Sequence, residues 1–221
     1  MPGAPGPGMP MGPPRRKRGK GLLIGLLAGG FALVVLAVGG VGFYILRSSH
    51  EITTPRSAGG MTLDIQATGE TDETYEEMQR VIRSTIAPSG GDWVRGVYRD
   101  GDLGFLLIGY TGGYDQRDKL DSKLDFHLRN SLSLGEAEIS TRIWQIEDAG
   151  GDGDAFCGRV TAKLRSSYTH SSICAWATRT TFAVVLPLGG KVAGRDAAEP
   201  PEYKVAGLQR VMRDLRADVE S

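Results

Sequence analysis

Residues 22–46, LLIGLLAGGFALVVLAVGGVGFYIL, contain no charged or strongly polar side chain over 25 positions. As a helix at about 1.5 Å per residue this run reaches roughly 37 Å, enough to cross a hydrocarbon core of about 30 Å with some tilt. The interior of a soluble domain has no use for so long an apolar run. The expectation is therefore one transmembrane helix over residues 21–46. It divides the chain into a tail (1–20), the span, a juxtamembrane linker (47–60) and a domain (61–221) long enough to bury its own core.

The flanking charges give the span a direction. Arg15, Arg16, Lys17, Arg18 and Lys20 precede it with no acid among them, and only Arg47 follows directly. The positive-inside rule keeps such a tail in the cytoplasm and exports the carboxyl-terminal domain, so the expected location is the cell membrane, single-pass, with that domain extracellular. The same five cations would pair with anionic lipid head groups at about 1 kcal/mol each. Ahead of them, residues 1–14 hold six prolines and four glycines, a composition that reads as disordered or polyproline II. A cleaved signal peptide is the competing reading, but its apolar region spans only about 7–15 residues. A lipoprotein is set aside because no cysteine precedes Cys157. Gly21, Gly25 and Gly29 recur every fourth residue, a stripe that lets two membrane helices approach and form a homodimer, though glycine is frequent in such helices anyway.

The charge balance beyond the span excludes one class of partner. All 26 acids but only 21 of the 26 basic residues lie there, a net charge of −5. Phosphate-backbone binding needs a basic face, so nucleic acid is not an expected partner.

Alternation and turn residues lay out the rest. Residues 61–67 read as a strand, and Thr71 or Asp72 starts a helix whose first acids, Glu73, Glu76 and Glu77, suit the helix dipole better than a metal. Tyr75, Met78, Val81, Ile82 and Ile86 form its apolar stripe, closed by Pro88 and Gly90-Gly91. Strands at 93–99 and 103–111 flank Asp100-Gly101, a strong hairpin signal, and LGFLLIGYT is apolar enough for the centre of a sheet. Gly112-Gly113 closes it. Leu120, Leu124, Leu128 and Leu132 mark a helix over 118–134. Residues 136–147 alternate with Ala137, Ile139 and Ile143 inward, while Trp144 and Ile146 suggest burial on the other side. Strands follow at 156–164, 171–178 and 180–186, with RSSYTHSS as a loop between the first two. A last helix buries Val205, Leu208, Val211, Met212, Leu215 and Val219. The fold class is α+β, a mainly antiparallel sheet with packed helices, preceded by one transmembrane helix.

Chemistry-bearing residues are sparse, and no catalytic, cofactor-binding or metal-binding residue is assigned. Asp148, Asp152 and Asp154 in DAGGDGD glance at a calcium loop, but the spacing is wrong and the twelfth-position glutamate is missing, so a turn is expected. None of the G-x-S-x-G, S-x-x-K, H-E-x-x-H or P-loop patterns occurs. The nearest hydrolase arrangement is His170 among Ser166, Ser167, Ser171 and Ser172, with Asp152 or Asp154 upstream. Cys157 and Cys174 are even in number and, on the topology above, in an oxidising compartment, which favours a disulfide across neighbouring strands. Their spacing is not the C-x-x-C of a redox-active pair. His50, His127 and His170 show no zinc-ligand spacing.

The stretches ITTPRSAGGMT (52–62), Cys157-Gly158 and CAWA (174–177) resemble an actinobacterial family of single-pass membrane proteins with a Gly/Pro-rich cytoplasmic tail and an exported domain carrying this cysteine pair. The resemblance implies the same topology and the same disulfide, and it implies no activity. The family's acid after CAWA is replaced here by Thr178 and Arg179. The functional expectation is a membrane-anchored binding, sensing or interaction module, with an exported hydrolase or an envelope assembly factor as alternatives.

Overall fold

The strand LGFLLIGYTGGY, β4 (Leu103–Tyr114), sits between two partners and is buried on both sides, and the rest of the domain is arranged around it. A computed structural model of the protein describes residues 49–131, 138–164, 167–188 and 200–221. The expected span, the basic residues Arg15 to Lys20, the Gly21, Gly25 and Gly29 stripe, Leu132 and Ser166 lie outside the described residues. Among the described residues no helix is long and apolar enough to cross a membrane.

The other strands are β1 (Ser57–Ala58), β2 (Met61–Leu63), β3 (Pro88–Asp100), β5 (Glu138–Ile146), β6 (Asp154–Leu164), β7 (Ser167–Ala177) and β8 (Thr181–Leu188). They form one antiparallel sheet in the order β1-β2-β3-β4-β8-β7-β6-β5. The helices are α1 (Ile65–Gly69), α2 (Asp72–Ile86), α3 (Leu120–Ser131) and α4 (Val205–Val219), with a short 3₁₀ turn at Pro201–Tyr203. The domain is thus α+β.

Two apolar layers follow from the period-two alternation of the strands. On one face Leu106, Ile108, Tyr110, Phe156, Ile173, Ala175, Phe182 and Val184 meet Met78, Val81, Ile82 and Ile86 of α2 and Leu120, Leu124 and Leu128 of α3. On the other face Phe105, Leu107, Cys157, Cys174, Trp176, Ala183 and Val185 meet Leu208, Met212, Leu215 and Val219 of α4. The sheet is covered by helices on both sides.

Several local readings shift. The stretch 61–67 is strand only to Leu63, because Asp64 accepts a hydrogen bond from the Ala67 backbone N–H at 2.9 Å and starts α1. Helix α2 ends at Ala87 in the left-handed region (φ 49°), whose N–H bonds the Arg83 carbonyl. The glycine pairs then fall inside the sheet, Gly91 opposite Gly112, beside a register shift that absorbs them. The β3–β4 hairpin pairs Asp100 with Leu103, so its two-residue turn is Gly101-Asp102, with Gly101 at φ 56°. RSSYTHSS is largely strand, since β7 begins at Ser167 and pairs with β6 back to Cys174. Trp144, expected to be buried on the other side of the strand, is 39% exposed. It lies on the edge strand β5, whereas α4 packs over β1, β6, β7 and β8. Ile146 does pack against the α4-side core.

Residues 47–60, a linker by composition, enter the fold from His50 onward. The His50 N–H donates to Thr180 Oγ1 and its carbonyl accepts from the same hydroxyl. Ile52 is buried and bridges to Glu220, Thr53 donates to the Val219 carbonyl, and Ser57–Ala58 is a strand. Gly109 of β4 makes the room. A Cβ there would stand 2.9 Å from both Ile52 Cγ2 and Val94 Cγ2.

The two cysteines meet across neighbouring strands, as expected. Cys157 and Cys174 are directly opposed on β6 and β7, with Cα atoms 4.1 Å apart and the sulfurs bonded, both fully buried.

Candidate functional site

Among the described residues the hydrolase arrangement does not assemble. His170 lies on an exposed stretch of β7, and its Nδ1 is 3.0 Å from Thr161 Oγ1 across the β6–β7 ladder. Ser172 is buried on the same face, while Ser171 alternates to the face of α2 and α3. Asp154 pairs with Ala177, seven positions along the strand from the Thr161–His170 pair, a distance of about 23 Å at ~3.3 Å per residue.

The DAGGDGD segment is a fastened turn. Asp148 accepts from the Gly150 N–H at 2.9 Å and pairs with Arg213 of α4, and these two contacts, the backbone one first, hold its carboxyl below the usual range. Arg216 takes the carbonyls of Ala149 and Asp152 at 2.9 and 2.5 Å. Two of the segment's carbonyls are thus bound by a guanidinium. Among the described residues no group of three or more His, Cys, Asp or Glu side chains gathers as a metal site.

Two of the polar concavities among the described residues are the larger ones. One, of about 540 Å³, lies between α2 and β3 and is lined by Asp72, Tyr75, Glu76, Gln79, Trp93 and Arg95. Its cations are spoken for. Arg95 pairs with Asp72 and lies 4.8 Å from the centre of the Tyr75 ring, and Arg83 lies 5.0 Å from that of Trp93. Trp93 in turn leans on Tyr110 at 5.0 Å. These contacts tie the helix to the sheet.

The other, of about 480 Å³, opens on the α4 side of the sheet where β5 and β6 run past that helix. It is lined by Ser140, Thr141, Arg142, Trp144, Arg159 and Thr161. Three directly opposed pairs build its floor: Trp144 with Cys157, Arg142 with Arg159, and Ser140 with Thr161. Gly158 brings β5 this close, since a Cβ on it would sit 2.4 Å from the Arg142 carbonyl. Lys163 and Tyr168 extend the surface along the strands. Lys163 reaches Glu138 at 3.5 Å and lies 5.9 Å from the Tyr168 ring centre.

Arg142 and Arg159 differ from the arginines just described, each of which has an ion pair or lies over an aromatic ring. Both are exposed, and neither makes an ion pair or side-chain hydrogen bond with a described residue. Like charges directly opposite on neighbouring strands destabilise a sheet by roughly 0.2–1 kcal/mol. The domain is acidic overall, yet here two arginines are directly opposed with no acid paired to either among the described residues, next to a half-exposed indole.

Sequence reasoning did not single out this surface. The residues alternate along two strands as Ser140, Arg142, Trp144 and Arg159, Thr161, and the signal that could have found them is a polar strand face carrying a tryptophan. Their adjacency depends on the β5–β6 register. No family model, curated protein or solved structure matches the chain, so the functional reading rests on this geometry.

Proposed function

We propose that the protein is a membrane-anchored binding module whose extracytoplasmic domain presents the open β5–β6 surface to a ligand. The observation that carries this reading is the pair Arg142 and Arg159, opposed on adjacent strands with no acidic partner among the described residues and flanked by the exposed Trp144. A solvated arginine pair of this kind costs stability and is resolved by an incoming anion. The anchor and the orientation rest on the uncharged run 22–46 and on the five cations before it. The buried disulfide of Cys157 and Cys174 suits an oxidising compartment.

Ser140→Cys, labelled with a membrane-impermeant maleimide, tests both halves of the reading. In intact cells the new thiol is expected to react, and to do so more slowly than in the purified full chain, because the surface is occupied. Ser84→Cys on the outer side of α2 is expected to react equally fast in both. No labelling of either site before lysis would refute the topology. Equal rates at Ser140→Cys in cells and after purification would refute the binding surface.

A further inference from the structure

We infer that the β5–β6 surface is a site for an anionic sugar, the acid group held between Arg142 and Arg159 and the sugar ring lying on Trp144. This rests on the binding-module reading above and names its ligand class.

Each part of the surface selects for a part of such a ligand. Two opposed guanidinium groups without acids call for a carboxylate or a phosphate, which they can hold through paired, charge-assisted hydrogen bonds. The indole of Trp144, 39% exposed on the same face as Arg142, offers a flat apolar surface for the C–H face of a sugar ring. Ser140 and Thr161, opposed one pair further along, supply hydroxyls that both donate and accept, matching sugar hydroxyls. The cavity of about 480 Å³ falls within the usual size of a small-ligand site, so one or two sugar units fill it. A nucleic acid fits less well, because the domain around the site is acidic. A bare anion would leave the indole and the hydroxyls unused.

The surface is also built on rigid parts. β6 is locked to β7 by the Cys157–Cys174 bond two residues from Arg159, and β5 is held to α3 through Asp125. The Ile143 N–H donates to Asp125 Oδ1 at 3.2 Å, and Thr141 Oγ1 donates to the Asp125 carbonyl at 3.1 Å. The strand positions that carry the two arginines are thus fixed before any ligand arrives.

The test uses the full chain in a nonionic detergent, titrated with galacturonate dimer, glucose 1-phosphate, inorganic phosphate and maltose, and read by calorimetry and tryptophan emission. Saturable binding is expected for galacturonate or glucose 1-phosphate, the stronger of the two telling whether the acid is a carboxylate or a phosphate. Inorganic phosphate should bind at least tenfold more weakly than the phosphosugar, and maltose should not bind. Arg142→Gln and Arg159→Gln should each weaken binding tenfold or more, while the unliganded protein melts at the same temperature or higher, because a like-charge contact has been removed. Trp144→Leu should weaken binding and abolish the emission change. Since the basic residues Arg15 to Lys20 are intact in all variants, their own affinity for anions cancels in the comparison. Binding that is indifferent to the two arginine substitutions, or equal for phosphate and glucose 1-phosphate, overturns the proposal. If neither acidic sugar binds while Ser140→Cys remains protected in cells, the ligand class is wrong and the binding surface stands.

Discussion

Replacing Arg216 with methionine should cost about 3–5 kcal/mol of stability, although the side chain lies far from any site. Arg216 is on the last turn of α4 and is 2% exposed. Its Nε lies 2.5 Å from Glu220 Oε2, and its two terminal nitrogens bond the carbonyls of Ala149 and Asp152. The Glu220 carboxylate, 5% exposed, also accepts from Trp176 Nε1 at 3.0 Å and from the Thr181 hydroxyl. Methionine keeps much of the apolar stem but strands a buried carboxylate, and breaking a buried pair by removing one partner costs about 3–5 kcal/mol. Against a total of about 5–15 kcal/mol for a domain, that is a third or more. Removing both charges should hurt less than the sum. Arg216→Met with Glu220→Gln leaves two orphaned carbonyls, at about 1–3 kcal/mol each, but no unpaired charge, so a coupling energy of about 2 kcal/mol is expected between the two sites. Urea unfolding of the full chain in nonionic detergent, followed by tryptophan emission, measures it. With a slope of about 2 kcal/mol/M, a 4 kcal/mol loss moves the midpoint by about 2 M at unchanged slope. Trp176 touches the network directly and reports on it. A single-variant loss below about 1 kcal/mol, or a double variant costing the full sum, would refute the argument that a desolvated charge pair holds this corner.

Two further outcomes follow from the core. Exchanging Cys157 and Cys174 for alanine releases a 17-residue separation, which the chain-entropy model values at about 3 kcal/mol; the thermal midpoint should fall by about 6–12 °C, and an unchanged midpoint would show that the ladder alone holds β6 to β7. Burial pushes the hydroxyls of Tyr98 and Tyr114 up to about 12 from 10.0, so the unfolded chain loses these protons first; their contribution is fully present below pH 10 and is lost as pH rises towards 12. Denaturant midpoints measured from pH 9 to 11.5 should decline, and Tyr98→Phe should make that decline shallower; no change in slope would assign the alkaline loss to other groups.

Much of the architecture was legible because its signals are local. The apolar run of β4, the glycine turn at Gly101 and the leucines of α3 each act over a few residues, and each appears where the periodicity put it. The readings that shifted depended on partners. Residues 52–58 look like a linker until Gly109 is seen to make room for Ile52. Trp144 alternates as a buried residue would, and its exposure follows from the reach of α4 over the sheet. RSSYTHSS is polar enough for a loop, yet a hairpin with one face in solvent is equally polar.

From its sequence alone this chain determined most of its strands and longer helices, which strand is central, and which cysteine could join which, because alternation, turn chemistry and a count of two require no knowledge of distant partners. Tertiary structure decided the rest. The β5–β6 register set Arg142 against Arg159, and the return of α4 across the sheet buried Arg216 with Glu220. Register made the first contact; the second joins residues four apart at the end of one helix, and only its burial needed packing. Similar arginines therefore have opposite environments, one desolvated and paired in the core, two solvated and free of acidic partners among the described residues on an open face.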